Sequence, residues 1–324
     1  SSSAASDAYK RQSVVEAGLE EMADLRARLA PLFPGQAISL RPAAAPVASP
    51  LHRAVASACL LAEPDGAAPL FLKLAHPEMQ ADLLDADGAA ARLAARAGVA
   101  PELVLAQPGL LGFAYLAPPW RYARTGDLQP PAMLAAVLAA KKCLHDGDSL
   151  GRRFCPFTRI AQLHAQADAA RVPLPAETAK LLRHAALIQQ ALTASGMDLR
   201  FCHNHACASN IMLNGSAVML VDFDIGGDND PWYDVGALLN EACDFDAPRR
   251  AAIEAYAGRC DEALFARCRL YGAVDDLMWG LWGLTRAVTA PRDGIEFWKY
   301  GTWRLFQART TMAMRDFELW LRTV

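Results

Sequence analysis

The sequence has no long apolar run, no concentrated basic stretch and no paired cysteines, and each absence removes a class of function. No segment approaches the ~18 uninterrupted apolar residues that a membrane span needs. The 32 Lys and Arg are dispersed among 35 Asp and Glu, for a formal net charge of −3. Nucleic acid or an anionic membrane as main partner would require a clustered basic surface, and none is written here. The eight cysteines (Cys59, Cys143, Cys155, Cys202, Cys207, Cys243, Cys260 and Cys268) sit in apolar surroundings without a C-x-x-C pair. They read as reduced thiols of a cytoplasmic protein rather than a disulfide framework. No internal repeat is found, and the opening SSSAASDAYKRQ lacks the apolar centre of a signal peptide, so residues 1–13 read as a disordered leader. What remains is a chain of 324 residues, 53% hydrophobic and 21% charged, long enough for two lobes with their own cores.

Apolar spacing predicts a helix over Val14–Leu32, ended by Pro34-Gly35. Apolar runs at Ala54–Ala62 and Leu70–Ala75 flank Glu63-Pro64-Asp65-Gly66 and predict a hairpin. Met79–Ala97 reads as an alanine-rich helix stopped by Gly98, and Leu103–Leu105 and Gly112–Leu116 as short strands around Pro108-Gly109. Beyond Pro130 the pattern turns helical over Ala132–His145, Phe157–Ala170 and Ala176–Ala194, and again from Tyr233 to the end. Between Leu199 and Val221 it is interrupted by β-prone runs with a turn at Asn214-Gly215. The expected architecture is a small α/β lobe over 14–117 and a mainly helical lobe over 118–324.

The stretch FCHNHACASNIMLNGSAVMLVDFDIGGDNDPWYD, Phe201–Asp234, carries the chemistry. It reads as a strand, a polar loop, a hairpin and an Asp-rich loop, and polar groups in loops after rigid strands are well placed for a site. Asn210 and Asp222 lie at the two ends of the hairpin Ile211–Val221, so strand pairing brings them together. Oxygen donors held that way suit Mg²⁺, which takes one or two protein carboxylates together with substrate phosphates.

This pattern resembles a kinase catalytic loop, written H-x-D-x-x-x-x-N and followed by a metal-binding Asp-Phe-Gly. Here the chain reads His203-Asn204-His205, four residues, Asn210, then Asp222-Phe223-Asp224. With NDPWYDVGALLNE it resembles the choline/ethanolamine kinase and aminoglycoside phosphotransferase group, which has the two-lobed protein-kinase-like α+β fold. The resemblance extends over most of the chain. It implies that Asn210 and Asp222 hold Mg²⁺ and that position 205 meets the substrate hydroxyl. It implies further that Lys73 in LFLKLA grips ATP phosphates and that Asp87 stands where a helix acid pairs with that lysine. Tyr115 and Leu116 in AYLAP match the adenine-binding hinge, and Asp234 a structural aspartate. KKCLHDGDSLGRRFCPFTRI, DDLMWGLWGLTRA and IEFWKYGTWRLFQA resemble segments of the choline-kinase branch, whose tryptophans border the choline pocket.

Three features depart from that family. His205 replaces the catalytic Asp, Arg41–Ala54 contains no glycine where a glycine-rich turn is expected, and Asp87 is one methylene shorter than Glu. An imidazole supplies neither the negative charge nor the acceptor-only geometry of a carboxylate, although histidine is a competent general base. Close approach of backbone amides to phosphates is hindered by Cβ atoms. Both losses fall on positioning and electrostatics, which carry phosphoryl transfer, so weak or absent activity is expected.

Blander accounts stand beside these. Lys73 could simply be an edge-strand residue with its amine in solvent, and Asn210 and Asp222 a loop Asn and a turn cap. Cys202, His203, His205 and Cys207 invite a zinc reading, but four ligands within six residues rarely wrap one tetrahedral ion. Trp279 and Trp282 share a helix face, either as core or as a wall for a quaternary ammonium. Glu241 is either a pocket carboxylate or a solvated helix residue, and Trp298, Tyr300 and Trp303 are core or interface. The leading expectation is an impaired ATP- and Mg²⁺-dependent phosphotransferase acting on a small alcohol or amino-alcohol. A catalytically degenerate binding protein and an amino-sugar phosphotransferase are the alternatives, and homodimerisation is left open.

Overall fold

The structure, a computed structural model, describes residues 21–48 and 52–324. The expected leader and the first part of the Val14–Leu32 helix lie outside these residues. Helix α1 occupies 21–29 and runs into a 3₁₀ turn at Ala30–Leu32. Five antiparallel strands follow: β1 (Ile38–Ala44), β2 (Ser57–Pro64), β3 (Leu70–Ala75), β4 (Leu103–Gln107) and β5 (Leu110–Ala114), in the order β1-β2-β3-β5-β4. Leu25 and Leu29 of α1 bury against Leu60, Leu70, Leu72 and Leu110 on one face of this sheet. The β2–β3 hairpin matches expectation because Gly66 takes the left-handed conformation its turn needs (φ 78°).

One predicted element is corrected. Met79–Ala97 is not a continuous helix but a 3₁₀ turn at Pro77–Asp82, an irregular stretch, and α2 at Ala89–Arg96. The amides of Leu84 and Asp85 donate to the Asp224 carbonyl instead of continuing a helix. Gly88 then turns left-handed (φ 70°), where a Cβ would lie 2.4 Å from Leu103 Cδ2. The alanine bias gave helical propensity, but the tie to Asp224 overrides it.

The remainder is helical, with small sheets inserted. A two-residue strand β6 (Arg121–Tyr122) and a turn α3 (Thr125–Leu128) lead into α4 (Pro131–His145), α5 (Pro156–Ala169) and α6 (Thr178–Ser195). Strand β7 (Arg200–Cys202) pairs with β10 (Gly227–Asn229), while β8 (Ile211–Asn214) and β9 (Ala217–Leu220) form the expected hairpin with Gly215 at φ 58°. Then come α7 (Pro231–Ala242), α8 (Asp246–Ala257), α9 (Glu262–Thr289), α10 (Phe297–Met312) and α11 (Phe317–Thr323). Helix α9 is the central column, with Ala266, Leu270, Ala273, Val274, Leu277, Leu281 and Leu284 all buried. Glycines let α10 lie against it: a Cβ on Gly301 would come within 2.6 Å of Leu284 N and 2.9 Å of Gly280 O. No helix among the described residues is long and apolar enough to cross a membrane.

Candidate active site

The polar loop after β7 is held from beneath by one carboxylate. Asp234, in the first turn of α7, is fully buried and accepts the His203 amide at 2.8 Å and the Asn204 amide at 2.9 Å. The same carboxylate accepts from Lys141 Nζ at 2.9 Å and sits 3.1 Å from His145 Nε2. Burial opposes its ionisation, but Lys141, His145 and His203 together hold it far below the ordinary carboxylate range. Asn204 takes a left-handed backbone (φ 61°), and its side-chain Nδ2 donates to the carbonyls of Cys202 in β7, Ile225, and Gly227 in β10 at 3.3, 3.1 and 3.0 Å. The loop is therefore tied to both strands of the β7–β10 ladder. His203 is satisfied too, with Nε2 2.9 Å from the Val221 carbonyl, while Cys202 bonds the Asn229 carbonyl and Cys207 faces Ser209. These groups point apart, so they do not assemble a zinc site.

The hairpin register does what its sequence implied. Ile211 pairs with Leu220 and the Val221 amide donates to the Asn210 carbonyl at 2.9 Å, which sets Asn210 beside Asp222. Asp222 has φ 67°, a left-handed conformation that aspartate tolerates better than most residues. Lys73 reaches over from β3, with Nζ 2.6 Å from Asp222 Oδ1 and 2.5 Å from Asp224 Oδ1. Burial and the adjacent Asp222 push the Asp224 carboxyl upward, whereas Asp222 is held low by Lys73 despite its own burial. The buried Asn210 side-chain Nδ2 has no hydrogen-bond partner among the described residues. A lysine, two carboxylates and an unpartnered amide thus face one cavity, whose donor set fits a hard cation with phosphate oxygens. Tyr115 and Leu116 line the same cavity, with Phe71, Phe113, Met212 and Ile225 providing apolar walls.

Asp87 is not part of it. Its side chain is 68% exposed and bonds Arg152 Nη1 at 3.2 Å, because the chain between Leu83 and Gly88 leaves helical geometry. Lys73 takes Asp224, the last acid of Asp222-Phe223-Asp224, as its second carboxylate instead, a partnership the sequence pattern does not signal. The glycine-free segment contributes Ala43, Ala44, Arg53 and Ala54 to the cavity wall. Arg53 stacks 5.3 Å above the Tyr122 ring, and its buried Nε has no partner among the described residues. Ala54 adopts a left-handed backbone (φ 52°), the conformation a glycine would take without cost.

The far wall is aromatic. His205 stacks on Trp279 with ring centroids 4.9 Å apart and planes 16° apart, and its Nδ1 lies 3.8 Å from Asp222 Oδ2. Burial lowers its pKa, Asp222 opposes and Lys73 reinforces, so the neutral imidazole prevails at neutral pH. Trp282 meets Trp279 edge-on at 5.4 Å and donates Nε1–H to Asp82 at 3.0 Å. Behind Trp279 lies a small pocket lined by Glu241, Asp275, Tyr300 and Arg304. Glu241 is largely buried, with Oε1 lacking a hydrogen bond among the described residues and Arg304 3.9 Å from Oε2. Burial raises its pKa, and the arginine counters this. Tyr300 is buried, whereas Trp298 and Trp303 are 43% and 49% exposed.

The sequence of residues 50–271 matches the model of the phosphotransferase enzyme family, more than half of the chain. The chain belongs to this family. A choline/ethanolamine kinase family protein from Mesorhizobium loti is 27% identical, with 93% of this chain and 98% of that one covered and a TM-score of 0.71. Choline kinase LicA from Streptococcus pneumoniae superposes with a TM-score of 0.73 over 91% of this chain and 99% of its own at 16% identity. Aminoglycoside 2′-phosphotransferase-IIIa in its GDP complex does so at 0.59, 19% identity and 90% and 98% coverage. The fold is that of these protein-kinase-like enzymes, and membership of this family implies nucleotide use by a small-molecule phosphotransferase. No curated protein sequence matches the chain.

Proposed function

We propose that the chain transfers the γ-phosphoryl group of ATP to the hydroxyl of a small amino-alcohol of the choline class, at a reduced rate. One observation carries the reading: Lys73, Asn210 and Asp222 face a single cavity whose far wall is His205 backed by Trp279 and Trp282. Lys73 holds phosphate oxygens, and Arg53, aimed at the same cavity, supplies a second cation where a glycine-rich turn would offer amides. Asn210 and Asp222 would hold Mg²⁺, which neutralises charge between phosphates when bound. The tryptophan faces attract a quaternary ammonium by cation–π interaction. His205 Nε2 accepts the proton of the hydroxyl as its oxygen bonds to phosphorus and the bond to the ADP oxygen breaks. Because an imidazole carries no charge to hold the hydroxyl beside the phosphates, the rate is expected to fall below that of a carboxylate-bearing relative.

ATP turnover with choline and Mg²⁺, measured for wild type, His205→Ala and His205→Asp, tests this. General-base loss is expected to cost His205→Ala about 10²–10⁴ in kcat, while His205→Asp retains or gains activity. Unchanged turnover in His205→Ala contradicts the base role, and absence of turnover in all three contradicts the reaction. The tryptophan wall and Arg304 set among the pocket acids favour choline over an amino-sugar, whose several ammonium groups would need unpaired carboxylates.

A further inference from the structure

The aromatic pocket beside His205 is filled by the protein itself. His52, only 5% exposed, inserts its imidazole between Trp279, Trp282, Tyr300 and His205, with ring centroids at 4.4, 5.3, 5.2 and 4.8 Å respectively. Both ring nitrogens are used. Nδ1 lies 2.8 Å from the Tyr300 hydroxyl, and Nε2 lies 2.7 Å from His205 Nε2. The His52 carbonyl in turn accepts from Ser209 Oγ at 2.9 Å, one residue before Asn210.

The protons can be assigned from this network. Two imidazole nitrogens at hydrogen-bond distance require one N–H and one lone pair. The Tyr300 hydroxyl has no other acceptor among the described residues and His205 Nδ1 faces the Asp222 carboxylate, so we assign Tyr300 O–H as donor to His52 Nδ1, which leaves the His52 proton on Nε2, donated to the His205 Nε2 lone pair. His205 then holds its own proton on Nδ1, on the side facing Asp222. The lone pair that would accept a proton from an acceptor hydroxyl is thereby occupied by the N–H of His52. Apolar faces and a hydrogen bond to His205 are also what an amino-alcohol would present here.

We propose that His52 is a built-in competitor of the phosphoryl acceptor, its ring filling the aromatic subsite and its Nε2–H standing in for the acceptor hydroxyl at His205. This rests on the phosphotransferase reading for the identity of the subsite, though not for its occupancy. An acceptor binds only in the fraction of molecules whose His52 has withdrawn, so its apparent affinity is reduced by that fraction. The position lies within Arg41–Ala54, the segment that departs most from the family pattern, so a change there that loosens phosphate binding also closes the acceptor pocket.

The test is an imidazole titration of wild type and His52→Ala, followed by tryptophan fluorescence and thermal unfolding. His52→Ala leaves an imidazole-shaped hole against Trp279 and Trp282, and is expected to bind free imidazole saturably, on the order of 1 mM. Wild type, with its cage filled, is expected to show no saturable response. The same response in both proteins, or none in either, overturns the proposal. His52→Ser, which keeps a hydroxyl for Tyr300, carries the same titration should the alanine variant not fold. Choline-dependent ATP turnover is then read on both proteins, and His52→Ala is expected to lower the apparent KM for choline on the order of tenfold. An unchanged KM overturns the competition. Selective imidazole binding without turnover in either protein supports the occupancy of the cage and overturns the phosphotransferase reading instead.

Discussion

Replacing Lys141 by Met isolates the group on which the loop geometry depends. The methionine conserves volume and removes the ammonium that lies 2.9 Å from Asp234 Oδ1, both side chains being wholly buried. Asp234 would keep His145 and the amides of His203 and Asn204 but lose its fixed cation. Breaking a buried pair by removing one partner costs about 3–5 kcal/mol, since the remaining charge stays dehydrated. With an unfolding entropy near ~2.1 cal/mol/K per residue, a chain of 324 residues should lose about 4–7 °C in Tm. The sign with pH follows from the carboxylate. Asp234 is held below its unfolded value, so its contribution is complete above the unfolded pKa near ~3.9 and is lost as pH falls. The gap between wild type and Lys141→Met should accordingly be full at neutral pH and narrow below about pH 4. Adding Asp234→Leu should recover only part of the loss, because the two loop amides are then unpaired. Chemical denaturation between pH 3 and 7 reads all three effects. A cost below about 1 kcal/mol, or a gap that ignores pH, would mean that Lys141 is not what holds the Asp234 charge.

Substitutions at two further positions probe places where the backbone decides. Gly301→Ala puts a methyl within 2.6 Å of the α9 backbone, and overpacking of this kind costs about 1–3 kcal/mol, read in a thermal melt. Since Tyr300 adjoins it, Trp279 and Trp282 fluorescence should shift as well, and a silent variant would mean that α10 can slide. Ala54 sits at φ 52°, so Ala54→Val should destabilise by about 1–2 kcal/mol while Ala54→Gly should not, measured by denaturant midpoint.

Local signals carried much of the fold. Gly66 and Asn214-Gly215 mark the two hairpins because their turns demand left-handed backbone, and hairpin pairing alone is enough to join Asn210 with Asp222. Trp279 and Trp282 were placed on one face by helical spacing, and both line the cavity. Partnerships set by tertiary packing were out of reach. Asp234 meets Lys141 across 93 residues and His52 meets His205 across 153, with no local pattern to reveal either. Asp87 was misplaced for a related reason: the run looked helical until Leu84 and Asp85 gave their amides to Asp224. Lys73 takes its second carboxylate from Asp224, two residues past Asp222, a pairing set by how β3 lies over the loop and not by local sequence.

On the proposed function, Asp222, Asn210 and Lys73 form a nucleotide-phosphate site that takes its cation through Asp222. Calorimetric titration of ATP with and without Mg²⁺, on wild type and Asp222→Asn, addresses it directly. Wild type should bind ATP more tightly with Mg²⁺ than with chelator present, and Asp222→Asn should lose that difference, about tenfold or about 1.4 kcal/mol. Equal affinity of the two proteins for ATP–Mg²⁺, or no binding by wild type under either condition, would contradict it.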